Sequence, residues 1–508
     1  MSLAIDPELL STLLDGAGVT AGSRDESGRE AGEPWQKEYA YSLGLQAYVW
    51  GFPWVYLSQL CWLWTSPGGK LVAQSSGMQM PNAPMNTIHN IQAVITPETS
   101  DGGSPNCDTL YSTAWLDLSR EPLVLSVPAV TNRFYNIELA SISSDNFAYV
   151  GVVATGNAAG NYLIAGSNWF GVVPDDVMDV LERCPTPVAF MLGRTAAYSG
   201  AQEDLMHEDI SGAIAVQEGY ALTPLSSWGQ PERSDARSPR AQVPIGLDIE
   251  QPRGTWETMN RAMTQNPPGV YPAIDQTALI NLFATIGVGP GQQLAAQTQA
   301  TLEGLALAAN DGLALLKKMS VGRGKSINRW NYPPLDVGRA GQSGDYITRA
   351  ALQALGGILA NDPNQNVYLN TATDSDARPL AAASEYTITF EKDGAGFPPI
   401  VAGFYGFWSL TLYDDTYNLV SGSQAYSINS YHQEFSARQA NGDMTILLQR
   451  DRPDALGNGV YWLQTPAPPA DGNDATTAAF TLMLRVYVPG PAISAAQTWA
   501  PPKIVRTN

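Results

Sequence analysis

DTLYSTAWLDL, residues 108–118, decides the fold class, because its polar and apolar residues come close enough to alternation for a half-buried strand. Working outward, LVLSVPAV (123–130), RFYNIELAS (133–141), NFAYVGVVATG (146–156), NYLIAGSNWFG (161–171) and TPVAFMLGRTAAY (186–198) repeat the pattern at short intervals. Strands so spaced predict a sandwich or barrel. PDDVMDVLERC (174–184) reads as a short helix between the last two.

Upstream, Tyr39 to Gly69 carries no charge and includes LGLQAYVWGFPWVYLSQLCWLW (43–64). That length would span a bilayer. Gln46, Gly51, Pro53, Ser58 and Gln59 interrupt it, and its aromatics run through the centre, so a buried helix kinked at Pro53 is expected. Residues 1–33 read as a flexible arm. Downstream, TPLSSWGQPERSDARSPRAQVPIG (223–246) has the composition of a connection, and 277–289, 292–319 and 345–362 are rich in Ala and Leu at helical spacing. Strands return with YTITFE (386–391), FYGFWSLTLYD (404–414), MTILLQR (444–450), YWLQTP (461–466) and FTLMLRVYVP (480–489). The expected class is α+β, mainly β. A helix plus a β-sandwich-like unit occupies 34–200, a connection and helical segment 201–340, and a C-terminal β-sandwich 341–508.

With 508 residues, 44% hydrophobic and 15% charged, the chain can bury large cores and is not disordered. Its net charge of -20 speaks against nucleic acid and anionic membrane surfaces as partners. Cys61, Cys107 and Cys184 have no C-x-x-C spacing, which supports neither a disulfide framework nor a zinc site and leaves one disulfide open. The N-terminus lacks the basic and apolar regions of a leader, so as written the chain reads as cytoplasmic.

No G-x-S-x-G, H-E-x-x-H or dinucleotide fingerprint occurs. GRGKS (322–326) is like a phosphate-binding loop, but Met319 stands where that loop needs glycine. Asp108 and Tyr111 point to opposite faces of a regular strand, so they could cooperate only if the strand bends or begins in a turn. Asn106 and Asp108 would otherwise bond turn amides. Arg133, at the start of RFYNIEL, could meet a substrate carboxylate or Asp108, or form a structural ion pair. Arg485 sits inside the apolar FTLMLRVYVP, where a charge is costly unless paired, for example with Asp414. Trp408, Tyr413 and Trp462, beside Phe407 and Tyr461, are either an aromatic platform for sugar rings or ordinary core. His207, among acidic residues, reads as surface, and His432 in SYHQEF carries little.

AYVWGFPWV (47–55), PNCDTLYSTAWLDLS (105–119), RFYNIEL (133–139), GFWSLTLYD (406–414), LRVYVPGP (484–491) and WAPPKI (499–504) occur in an order that resembles the two-domain proteins catalogued as domains of unknown function 1254 and 1214. The resemblance implies envelope or secreted proteins, a jelly-roll-like C-terminal unit and a homo-oligomer. It also tends to place a histidine where His89 stands, in NTIHNIQ just upstream of Asp108, and a lone histidine there is either a general base or acid or a buried, satisfied side chain. The family's usual Asn-Trp-Leu-Pro appears here as Tyr461-Trp462-Leu463-Gln464. The expected function is an enzyme, a hydrolase or lyase, acting on a neutral or hydroxylated small molecule or glycan. His89 would be its base or acid, Asp108 would orient it, and Tyr111 and Arg133 would stabilise negative charge. Asn106, Trp408, Tyr413, Trp462 and Arg485 would hold the substrate. No cofactor is expected, with a divalent metal left open. The alternative is a non-catalytic glycan- or ligand-binding envelope protein.

Overall fold

The computed structural model describes residues 30–65, 83–100, 103–179, 182–200, 207–229, 252–269, 271, 274–320, 322–431, 441–467 and 478–508. Helix α1 (Pro34–Thr65) contains Pro53 and buries most of its residues from Ala40 onward. It packs along α5 (Gln299–Met319), with α2 (Ile210–Glu218), α3 (Pro252–Gln265) and α4 (Thr277–Ala284) intervening in sequence. Small residues bring the two helices close. A Cβ on Gly304 would meet the Lys37 carbonyl, and one on Gly44 would lie 2.7 Å from the Ala308 methyl. Among the described residues, no helix is long and apolar enough to cross a membrane.

The N-terminal strands are β1 (His89–Asn90), β2 (Thr109–Asp117), β3 (Leu123–Val127), β4 (Tyr135–Ser141), β5 (Asn146–Gly151), β6 (Gly160–Ile164), β7 (Met178–Asp179) and β8 (Val188–Ala196). A hairpin of β9 (Tyr198–Ser199) and β10 (His207–Glu208) and then β11 (Ala221–Pro224) complete the unit. One sheet has the order β1-β2-β8-β4-β5, and a second has β11-β3-β6-β7. Between them lie Leu116, Ile137, Leu139, Met191, Leu125 and Ile164. The five-stranded sheet is covered on its other face too, where Trp115, Phe190 and Leu192 meet Trp64 and its helical neighbours. Burial on both faces corrects the half-buried reading of residues 108–118, since every residue of β2 except Tyr111 is buried. The helix expected over 174–184 does not form in its described part. Val177 packs against Val124 and Leu163, and Met178–Asp179 pairs in parallel with β6 instead. All three cysteines are buried and free, so the disulfide left open by the sequence is absent.

The C-terminal unit is a second sandwich. Its strands are β12 (Ser326–Ile327), β13 (Trp330–Asn331), β14 (Asn366–Thr371), β15 (Tyr386–Phe390), β16 (Trp408–Asp414), β17 (Ser427–Asn429), β18 (Met444–Gln449), β19 (Val460–Gln464), β20 (Phe480–Tyr487) and β21 (Ile504–Arg506). They form sheets of order β12-β13-β14-β20-β16-β17 and β19-β18-β15-β21. Leu369, Leu484, Val486, Trp408 and Leu410 from the first meet Ile388, Phe390, Ile446 and Leu463 from the second. The architecture is α+β, a helical layer with two β-sandwiches. The GRGKS stretch is a turn entering β12, with Gly322 and Gly324 in the left-handed region and Lys325 bonded to the Gln497 carbonyl.

Candidate functional site

Period-two alternation leaves each large sheet one polar row, and the two rows face the junction between the units. In the N-terminal sheet Tyr111 registers with Arg194, and Arg194 with Asn136, so all three share a face. The neighbouring row on that face runs His89, Thr113, Leu192, Glu138, Tyr149. In the C-terminal sheet Tyr368, Arg485, Ser409 and Asn429 form one row, opposite in facing to the Leu369, Leu484 and Leu410 core.

Hydrogen bonds tie the rows together. Asn136 donates to Asn361 Oδ1 at 2.9 Å, and Asn361 donates to the Tyr368 hydroxyl at 2.9 Å. Arg485 Nη2 reaches the Ser104 carbonyl at 2.6 Å, and the Tyr413 hydroxyl donates to the Pro105 carbonyl at 2.6 Å. Asn106 Nδ2 bonds the Tyr487 hydroxyl, whose ring stacks on Phe407 with centroids 4.1 Å apart. The result is a polar junction between both sandwiches, in which Tyr111 and Tyr368 are half-buried.

Asn106 explains how strand β2 begins. Its side-chain oxygen accepts from the amides of Asp108 (2.5 Å) and Thr109 (3.1 Å), an Asx turn, while its own amide donates to the Tyr111 hydroxyl at 3.4 Å. The strand therefore starts in a turn, and that turn reaches both Asp108 and Tyr111. Asp108 itself faces the other unit. Its Oδ1 accepts from Asn429 Nδ2 at 2.8 Å, and its buried Oδ2 has no hydrogen-bond partner among the described residues. Asn136 Oδ1, both side-chain polar atoms of Asn366 and Ser409 Oγ are likewise buried and unpartnered. Such atoms are rare in folded chains, and here several belong to the junction.

His89 lies opposite Thr113, which puts it diagonally beside Tyr111, about 7–8 Å away between Cα atoms. It is five residues along the strand from Asp108, roughly 17 Å, so Asp108 does not orient it. Partial burial lowers the imidazole's pKa, leaving it neutral at neutral pH. Burial raises the Tyr111 phenol, opposed by the charges of Arg194 and Arg485. Arg194 pairs with the buried Glu138 at 2.7 Å. Burial raises the Glu138 carboxyl, opposed by Arg194.

Arg133 lies elsewhere. It is 1% exposed, pairs with Asp209 and donates to the Ala196 and Asp209 carbonyls, so it does not meet Asp108. Trp408 stacks on Phe390 within the C-terminal core, 5.3 Å between centroids. Trp462 is half-buried and donates to the Gln449 carbonyl at 2.9 Å. His207 is exposed on β10, and His432 lies outside the described residues. Of the residues singled out in the sequence, Asn106, Asp108, Tyr111, Tyr413 and Arg485 come together, His89 stands beside them, and Arg133, Trp408 and Trp462 do not join. Arg194, Glu138 and Tyr368 escaped notice, although a charge inside AFMLGRTAA or YNIEL was the same signal that marked Arg485. Among the described residues no three His, Cys, Asp or Glu side chains gather as metal ligands would. A separate open depression of about 380 Å³ is lined by Ser326, Asn328, Arg329, Ser375 and Lys503.

The family model described as protein of unknown function (DUF1254) matches residues 85–224, and that for DUF1214 matches 365–491. The chain belongs to these two-domain DUF1254–DUF1214 proteins. The two matches meet at the junction, with Tyr111, Asn136 and Arg194 in the first and Tyr368, Ser409 and Arg485 in the second. A search of curated proteins finds no match. The crystal structure of the VPA0106 protein from Vibrio parahaemolyticus has the same fold, at TM-score 0.64 and 18% identity, covering 92% of this chain and 100% of that one. An uncharacterised protein from Burkholderia cenocepacia is more distant, at TM-score 0.41 and 12% identity, covering 93% of this chain and 96% of that one.

Proposed function

We propose that this junction is the active site of a hydrolase or lyase working by general acid–base chemistry on a small hydroxylated molecule. The observation that carries the reading is that the half-buried Tyr111 stands opposite Arg194 in the sheet, with the charges of both Arg194 and Arg485 acting on its phenol. Fixed donors of this kind stabilise negative charge that develops during reaction, in a site sheltered from water. Tyr111, protonated at neutral pH, serves as proton donor, and the neutral His89 serves as base. Asp108 holds the turn and the contact to Asn429 and leaves the proton work to these two. The chemistry needs no cofactor. Homo-oligomerisation rests on the family resemblance alone, and light scattering on the purified protein tests it.

The rival reading, recognition of glycans on an aromatic platform, finds little support, because Trp408 and Tyr413 are buried. The test is turnover of a panel of hydroxylated, ester and glycosidic compounds by wild type, Tyr111→Phe and His89→Ala, with melting temperature followed in parallel. Either substitution is expected to lower turnover about 10²- to 10⁴-fold at unchanged melting temperature. Turnover that survives both substitutions contradicts the assignment.

A further inference from the structure

Resting on the junction as the site, we infer that its ligand carries a carboxylate and that Arg485 is the anchor for it. The charges at the junction are unevenly matched. Arg194 has Glu138 at 2.7 Å, whereas Arg485, only 2% exposed, forms no ion pair with any described carboxylate. Asp414, the partner suggested by the sequence, registers with Phe480 five residues along β20, and its carboxylate bonds Thr416 and Asn418. Asp108 bonds Asn429, which lies two strands from Arg485 in the same row, about 10 Å across the sheet. A buried guanidinium without a counter-charge is costly, so its presence calls for a compensating group.

What the protein supplies is orientation. The Arg485 guanidinium lies over the rings of Tyr413 and Tyr368, at 5.6 and 6.0 Å from their centroids, which fixes its position. Nη2 donates to the Ser104 carbonyl at 2.6 Å and Nη1 donates to Thr411 Oγ1 at the longer distance of 3.3 Å. A guanidinium has five N–H donors, so these two bonds leave capacity for a carboxylate, which it recognises through paired donors. Its neighbours Ser104, Tyr368 and Met483 are each half-buried. The net charge of -20 makes the surface as a whole unattractive to anions, so recruitment falls to a local cation of this sort. Combined with acid–base groups suited to hydroxyl chemistry, the ligand class is a hydroxy acid or sugar acid.

Calorimetry on the full chain separates this from its rivals, using small hydroxy acids and sugar acids, each beside its neutral primary amide. The acids are expected to bind roughly 10- to 100-fold more tightly than their amides, the range for a hydrogen bond to a charged group. In Arg485→Gln that preference collapses to within about threefold, while Arg485→Lys, which keeps the cation, retains part of it. Thermal upshift of the wild type by acids over amides gives the same answer if Arg485→Gln fails to fold. Amides binding as tightly as acids, no acid binding at millimolar concentration, or an acid preference that survives Arg485→Gln each overturn the inference. Neutral ligands whose binding depends on Tyr111 but not on Arg485 would sink the carboxylate and leave the proposed site standing. Acids indifferent to both residues would sink both.

Discussion

Asp209 caps helix α2 through the Gly212 amide at 2.9 Å and pairs with Arg133 in the same stroke. The amide bond first, and the Arg133 partner after it, hold its carboxyl down at about 2. Because the folded value lies below the ordinary 3.8, the contribution is fully present above that pH and is lost as pH falls through about 2. Asp209→Asn should cost about 2 kcal/mol at neutral pH, a discount on the roughly 3–5 kcal/mol of a fully buried pair because this carboxyl is partly exposed. Urea unfolding of wild type between pH 4 and pH 2 should show stability falling. The Asn variant should be flatter over that window, and identical slopes would remove the pair from the acid response. Arg133 also shows the limit of reading single residues. That an arginine ending an apolar run needs a carboxylate follows from charge burial, but which carboxylate depends on Asp209, more than seventy residues away. Asn106 was more legible, because an Asx turn is local chemistry.

At the scale of elements, the pairing of α1 with α5 is set by where small residues fall. A methyl on Gly304 would press on the Lys37 carbonyl and lie 2.9 Å from the Ala40 Cβ, neither of which yields easily. Gly304→Ala should therefore destabilise by about 1–3 kcal/mol despite the better helix propensity of alanine. Gly357→Ala, where nothing lies within 4 Å, is the control and should be neutral or slightly stabilising in urea melts. Equal behaviour of the two would show that the helices have room to separate. Helix α1 and most of the long strands were legible because their patterns are local. The segment 174–184 was not. Its charged residues suit a helix although Val177 and Val180 are β-branched, but a parallel edge beside β6 and a niche for Val177 prevailed. Tertiary context overrides so weak a propensity readily.

The whole molecule makes its candidate site where two sandwiches meet, and that is the part least visible in a sequence. Alternation along FTLMLRVY marks Arg485 as facing away from Leu484 and Val486, but not what it faces. The partner row of Tyr111, Arg194 and Asn136 comes from three strands whose order, β2-β8-β4, no local pattern encodes. His89 shares a face with Tyr111, yet its expected helper, Asp108, is spent on the contact to Asn429. The most direct measurement is a crystal structure of the protein with the tightest binder from the acid and amide panel. Ligand density is expected at the junction, with polar atoms within about 3.2 Å of both the Tyr111 hydroxyl and the Arg485 guanidinium. Density confined to the depression at Arg329 and Lys503, with the junction unchanged, would contradict the assignment.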